Sequence, residues 1–241
     1  MTWTVHHKPI TESTNLDARA GVPGDVFTAD EQTAGRGRLD HKWLSAPGAN
    51  LMFSVVLDVA GLDPVAVSTL PLVVGLAVLR SLSFLSSFTL HPSPFTLKWP
   101  NDVLVDGRKV AGILCERHGD CVIAGIGVNV NQRQFPQEIA VRATSLALVT
   151  DAAEPYDRSV VLERVLDELN DWYEVWREKG FGAVWPELTK VDFLKARQVS
   201  VFAVDGDPKP LSGLCGGIRP DGTLDVGGIP VFAGEAHVLI V

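Results

Sequence analysis

The sequence predicts an α+β fold, a mixed and largely antiparallel sheet packed with helices and followed by a small all-β unit. Three observations carry that reading. Strand-like runs stand next to one another in the chain instead of alternating with helices. Two helices with strong apolar periodicity flank those runs, and beyond about Asp192 the texture changes to short strands and turns. The expected division is residues 1–192 for the larger domain and 193–241 for the smaller.

The first helix is predicted from Val65 to about Leu82, after the breaker Pro64. In the second, Leu162, Val165, Leu166, Leu169, Trp172 and Trp176 recur at three- and four-residue steps, and Gly180 is placed to end it. Both serve packing. Between them lie strand candidates at Phe95–Trp99, Val103–Val105, Val110–Cys115 and Val122–Val130, with Asp106-Gly107 as a hairpin turn. The tail offers Val199–Val204, Leu211–Cys215, Leu224–Val226, Val231–Phe232 and Val238–Val241. Turn clusters at Asp205-Gly206-Asp207-Pro208 and Pro220-Asp221-Gly222 separate them, the pattern of a small barrel or sandwich.

Composition narrows the function classes. The chain has 241 residues, 46% apolar and 21% charged, enough for a substantial core. A net charge of −8 disfavours unaided nucleic-acid binding, so any polyanion needs a local basic site. Cys115, Cys121 and Cys215 have neither metal-site spacing nor an even count, and no metal ligands are expected among the protein's side chains. The start lacks an apolar signal core, and the longest apolar run, Leu70 to Leu79, is too short to span a bilayer. A soluble, cytoplasmic protein is expected, with no membrane partner.

Three polar clusters lie in apolar or glycine-rich surroundings. Ser13-Thr14-Asn15 reads, taken alone, as a helix N-cap, but its short hydroxyl and amide groups also suit a polar, uncharged ligand. Gln32-Thr33-Ala34-Gly35-Arg36-Gly37-Arg38, followed by Trp43, combines close backbone approach with forked cationic donors. That suits a phosphate or carboxylate, although such a run is also compatible with a surface loop. It lacks the Gly-Lys-Ser/Thr ending of a P-loop. Trp43 offers a stacking face for a purine or an ordinary core ring. The third cluster is Lys98-Trp99-Pro100-Asn101-Asp102 with Gly107-Arg108-Lys109-Val110-Ala111-Gly112-Ile113, where a compact cation precedes an Ala-Gly pair.

In this order and at these separations the clusters closely resemble the catalytic domain of biotin protein ligases. The matching stretches are Glu12–Asn15, Gln32–Arg38, Lys42–Ser45, Gly48–Leu51, Lys98–Asp102, Arg108–Ile113 and Gly125–Asn129. The resemblance covers most of residues 5 to 180. It continues through Gly216-Gly217-Ile218 and Asp221–Leu224, similar to that family's small SH3-like C-terminal domain.

The resemblance implies an ATP-dependent ligase working in two steps with magnesium as helper. Biotin would be activated as biotinyl-5′-AMP, then transferred to one lysine of a biotin carboxyl carrier protein, an acetyl-CoA carboxylase subunit. Both nucleophiles belong to substrates, so no Ser-His-Asp or Cys-His set is needed. By position, Ser13, Thr14, Asn15 and Gln32 would hold the ureido end of biotin. Arg36, Gly37 and Arg38 would form a loop closing over the acid and phosphate, with Arg38 and Lys109 catalytic. Lys109 would sit at the carboxylate and α-phosphate, and Gly112 would permit close approach. Trp43, Asn101 and Asn129 would contact ATP. Lys98 and Asp102 belong to the motif, in a catalytic or an architectural role. The loop from Thr33 to Trp43 is expected to be mobile until biotin or the adenylate orders it.

Two positions depart from the family pattern. Leu39-Asp40-His41 stands where many relatives have a further glycine, and Arg219 where an acidic residue is common. Two other readings stand beside the ligase. A lipoate ligase or octanoyltransferase shares the fold, but its run of arginines and glycines before His-Asp is missing. A biotin-responsive repressor carries a helix-turn-helix of about sixty residues ahead of the Ser-Thr-Asn motif, whereas twelve residues precede Ser13. The expectation is therefore the short form without that module, as a monomer or homodimer.

Overall fold

The computed structural model describes residues 1–39, 41–86, 94–202 and 209–239. Strand β1 (Thr4–Thr11) leads into the one-turn helix α1 (Thr14–Asp17), then come β2 (Asp25–Gln32) and β3 (Leu51–Asp58). Helices α2 (Pro64–Ser68) and α3 (Leu70–Leu85) follow, then β4 (Phe95–Lys98), β5 (Asp102–Val105), β6 (Arg108–His118) and β7 (Cys121–Val128). After these come α4 (Leu146–Val149), α5 (Arg158–Lys179) and α6 (Phe181–Lys190). The tail forms β8 (Gln198–Phe202), β9 (Leu211–Ile218), β10 (Leu224–Val226), β11 (Ile229–Val231) and β12 (Glu235–Val238).

The large sheet has the order β1-β2-β3-β7-β6-β5-β4. Only β1 and β2 pair in parallel; the other neighbours are antiparallel. The tail forms a five-stranded antiparallel sheet, β11-β10-β9-β8-β12. The α+β class is therefore as expected, with a mixed, mostly antiparallel sheet. β4 to β7 fall where the alternation placed them. Their hairpin turn carries positive φ at Asp106 (48°) and Gly107 (75°), the conformation an Asp-Gly pair adopts most readily.

Helices cover one face of that sheet. Asp63 caps α2 by accepting from the Val65 amide (2.7 Å), with Pro64 at the first helical position. Residues 64–85 form a 22-residue helical stretch apolar enough to cross a bilayer, longer than the sequence run suggested. Its surface is instead spent on the protein core, since α3 packs on α5 and on β4, β5 and β6. Gly75 makes that approach possible: a Cβ there would lie 2.6 Å from the Leu97 side chain. Asp157 caps α5, and Gly180 ends it at φ 76°.

Three strands and two helices escaped the sequence reading: β1, β2, β3, α4 and α6. In the tail, β11 falls at Ile229–Val231 and β12 at Glu235–Val238, both earlier than expected. The turn at Asp205–Pro208, and the expected strand ends at Ala203–Val204 and Ile240–Val241, lie outside the described residues.

One apolar cluster continues from the large sheet into the tail through Leu194, Val199, Val201, Cys215, Ile218, Leu224 and Ala236. Asp192 is the joint. The Val191 carbonyl accepts from Leu97 N (2.7 Å) and Phe193 N donates to Leu97 O (2.9 Å), which extends the β4 edge. The Asp192 carboxylate then accepts from Leu194 N (3.0 Å) and Ile218 N (2.8 Å), the latter on β9. Burial pushes the Asp192 carboxyl up, against the pull of those backbone amides.

Candidate active site

The sheet opens on its other face into a cavity of about 640 Å³. Every site residue expected from the sequence lines it: Ser13, Thr14, Asn15, Gln32, Arg36, Gly37, Arg38, Trp43, Asn101, Lys109, Gly112 and Asn129. Lys98 and Asp102 join them, with Glu235 to Val238 from β12 at the tail side.

Strand register sets the floor. Ser54, Gly125 and Leu114 share one rung, while Met52, Gly127 and Gly112 share the rung two residues along. That step corresponds to about 7 Å. Neutral polar groups gather over the first rung, and Trp43 and Lys109 lie over the second.

At the first rung, Thr14 N and Oγ1 lie 2.8 and 3.1 Å from Gln32 Oε1. Ser54 Oγ, fully buried, lies 2.7 Å from both Thr14 Oγ1 and Asn15 Oδ1. Asn15 Nδ2 donates to Glu116 Oε2 (2.6 Å). Gly125 is required here, because a Cβ would sit 2.1 Å from Asn15 Oδ1. Ser13 holds the N-cap position of α1, yet its hydroxyl makes no cap bond and its carbonyl receives the Leu16 and Asp17 amides. The capping role is thus not the one this serine's side chain performs.

At the second rung, Trp43 lies flat against glycine backbone. A Cβ on Gly127 would meet its ring at 2.4 Å, and one on Gly112 at 3.2 Å. Lys109 folds back over Gly112, where a Cβ would come within 2.8 Å of its Nζ. Its ammonium lies 2.7 Å from Asp102 Oδ1 and 5.6 Å from the Trp43 ring centre. Gly112 therefore gives room to Lys109 and Trp43.

The arginines divide. Arg38 crosses the cavity mouth to donate to Gly234 O (3.3 Å) on the tail and Asn101 Oδ1 (3.5 Å). Burial pushes the Arg38 guanidinium below its ordinary value, while Asp102 and Glu235 pull it back up. Arg36 turns the other way and pairs with Glu116 Oε1 at 3.3 Å. The loop carrying them is a tight ladder: Gly37 N donates to His41 O (2.7 Å), His41 N to Arg38 O and Trp43 N to Gly35 O (3.0 Å each). Asp40, one of the two departures, lies outside the described residues; Arg219, the other, pairs with Asp225 at 3.4 Å.

Asn101 and Asn129 are heavily used by the protein. Asn101 Nδ2 donates to Ile113 O (2.8 Å), fixing the turn after Trp99-Pro100. Asn129 is buried, donates to Thr144 O (3.0 Å) and accepts from Asn50 (3.4 Å). Lys98 has its ammonium pushed down by burial and by Lys109 and Arg142, with Asp102 and Glu235 opposing. Among the described lining residues, Arg36, Arg38, Lys42, Lys98, Lys109 and Arg142 face only two carboxylates, Asp102 and Glu235. A chain of net charge −8 thus concentrates positive charge in one cleft.

Sequence reasoning missed Ser54, Glu116, Glu235 and the β12 edge. Ser54 looks like a filler in an apolar strand, and Glu116 like a solvated strand end. Only the register reveals them.

A glycine-floored cavity with a neutral polar end and a cationic end, on a mixed sheet with a small β appendage, defines a ligand-binding domain suited to an acid or phosphate. A family model described as the biotin/lipoate A/B protein ligase family matches residues 9–132. The chain belongs to that family. It is 42% identical over 173 residues to the biotin–[acetyl-CoA-carboxylase] ligase of Mycobacterium tuberculosis, covering 69% of this chain and 63% of that one. It is 34% identical over 165 residues to the bifunctional ligase/repressor BirA of Bacillus subtilis, covering 66% of this chain and 48% of that one. The aligned part is therefore less than two thirds of either relative. Among solved structures, the biotin protein ligase of Aquifex aeolicus in complex with biotin and ATP superimposes with a TM-score of 0.86. That pair is 30% identical, over 98% of this chain and 99% of the other.

Proposed function

We propose that this protein is an ATP-dependent ligase that activates biotin as biotinyl-5′-AMP and transfers it to a lysine of a biotin carboxyl carrier protein, in the cytoplasm. One observation carries the reading. The neutral hydroxyl and amide cluster and the cationic cluster share one cavity, two residues apart along the same strands. A ligand with an uncharged polar head and a carboxylate tail fits that order. The likeness to biotin ligases supports the substrate.

In the first step the biotin carboxylate attacks the α-phosphorus of ATP and pyrophosphate leaves. Ser13, Thr14, Asn15 and Gln32 hold the head, with Asn15 acting through its neighbours because its amide is already bonded. Lys109, held by Asp102, stands where the carboxylate and α-phosphate concentrate negative charge. Arg38 and Gly37 lie over the same end, and Arg36 anchors the loop's base. Trp43 supplies a flat face for adenine, and Asn101 and Asn129 shape its surroundings. In the second step the carrier lysine amine attacks the biotinyl carbonyl and AMP leaves. Magnesium is read as the activator that arrives with ATP. Residues 1–192 supply this cavity, and the unit from residue 193 closes one side of it through β12.

Mass spectrometry of the denatured mixture tests the proposal. Biotin and Mg-ATP should give bound biotinyl-AMP before any carrier is added. An equal yield of the corresponding adenylate from lipoate would reject biotin as the substrate.

A further inference from the structure

We infer that Glu116, which lies outside the cavity, sets the direction of a hydrogen-bond relay and so selects a cyclic urea at the neutral end. The inference rests on the biotin reading above and adds a specificity-determining residue to it.

The relay follows from distances and valence. An ionised carboxylate can only accept, so at 2.6 Å from Glu116 Oε2 Asn15 must present its NH2. Its carbonyl then faces Ser54. Two acceptor oxygens 2.7 Å apart would repel, so the single Ser54 proton goes to Asn15 Oδ1. With that proton spent, the 2.7 Å contact between Ser54 and Thr14 must be bridged by the Thr14 proton. The Thr14 proton has two acceptors in reach, Ser54 Oγ at 2.7 Å and Gln32 Oε1 at 3.1 Å, and the shorter contact takes it. Gln32 Oε1 is still satisfied by the Thr14 amide at 2.8 Å.

The consequence is chemical. Thr14 Oγ1 has no proton left for a ligand and offers a lone pair, so it accepts. Gln32 has its carbonyl engaged, which leaves its NH2 to donate; among the described residues no hydrogen bond uses that nitrogen. An acceptor beside a donor, both at the cavity wall, matches an N–H next to a C=O. The negative charge that enforces this polarity lies 2.6 Å beyond the cavity lining, held in place by Arg36 at 3.3 Å.

A Gln side chain at position 116 could donate as well as accept, which leaves only the long contact to Leu114 O (3.5 Å) to keep the Asn15 amide from turning over. The Ser54 proton could then turn to Thr14, and the Thr14 proton to Gln32 Oε1 or to an acceptor on the ligand. The test uses calorimetric titration of the full-length protein with biotin and with its two carbamate analogues, each replacing one ureido N–H by a ring oxygen. The wild-type protein should prefer biotin over one analogue by about a hundredfold, because that oxygen would face the Thr14 lone pair. Glu116→Gln should shrink that preference by about tenfold, mainly by weakening biotin. Ser54→Ala, which cuts the relay while leaving the Arg36–Glu116 pair intact, should show the same shrinkage. Biotin and analogue weakening by equal factors in both variants, or an undiminished preference, would overturn the relay. A wild-type protein that ignores biotin would instead overturn the functional reading beneath it.

Discussion

The ammonium of Lys109 lies 2.7 Å from Asp102 Oδ1, and both side chains are mostly covered, at 34% and 22% exposure. The two lie across the β5–β6 hairpin, whose register shifts by one residue between Val103 and Leu104. That bulge lets Lys109 fold over Gly112 instead of pointing along the strand. The pair fixes the ammonium at the cavity wall.

Replacing that cation should therefore damage chemistry more than folding. Lys109→Ala is expected to slow adenylate formation by about a hundredfold or more, the scale of a lost electrostatic stabiliser. Its unfolding midpoint should stay close to that of the wild type. Single-turnover kinetics gives the first quantity and circular dichroism the second; an unchanged adenylation rate would remove Lys109 from the site.

The loop from Thr33 to Trp43 is tied to the tail by Arg38 and to β6 by Arg36. Amide hydrogen exchange over residues 33–43 should slow when biotin and ATP are both present. Arg38→Gly should keep the fold but let the activated intermediate escape and hydrolyse. Equal exchange with and without ligands would make this segment a preformed anion cradle and not a lid.

Gly125 tests the neutral end. Gly125→Ala places a methyl group 2.1 Å from Asn15 Oδ1, which must move. Biotin affinity should fall by about tenfold or more, in line with an overpacking cost of about 1–3 kcal/mol. The ATP constant should change little. Equal losses for both ligands would mean that the rung does not separate their sites.

Asp192 gives a pH signature. Burial raises its folded pKa above the ordinary 3.8, so the folded protein takes up this proton before the unfolded chain does. Its ionisation therefore costs stability as pH rises, and acidification returns that stability. Against Asp192→Asn, which cannot titrate, the wild type should gain relative stability as pH falls from 7 towards 4. Urea unfolding across that range measures the difference. A gap independent of pH would show that the carboxyl is not raised.

How much of this was legible varied with the kind of signal. The cavity residues were legible because their types are costly elsewhere: Gly35, Gly37, Gly112 and the cations between them have no packing use that explains all of them. The hairpin at Asp106-Gly107 and the end of α5 at Gly180 were legible from local backbone preference. β1 was not, because its exposed Thr4–Thr11 run has neither alternation nor an apolar face, and it pairs in parallel with a distant partner. β3 was missed for the opposite reason, since Leu51–Leu57 is buried on both faces and shows no period. α6 hides behind Pro186, which reads as a breaker although it lies within the helix. Trp43 could be placed near a ligand but not on Gly127, because that contact depends on a register no local pattern contains.

The proposed activity requires one cavity to bind biotin by its neutral head and to activate its carboxylate with ATP. ATP–pyrophosphate exchange measures that step alone, without a carrier protein. Exchange should depend on biotin and be absent with lipoate or octanoate. Exchange supported equally by lipoate or octanoate, or none with biotin, would contradict the proposal.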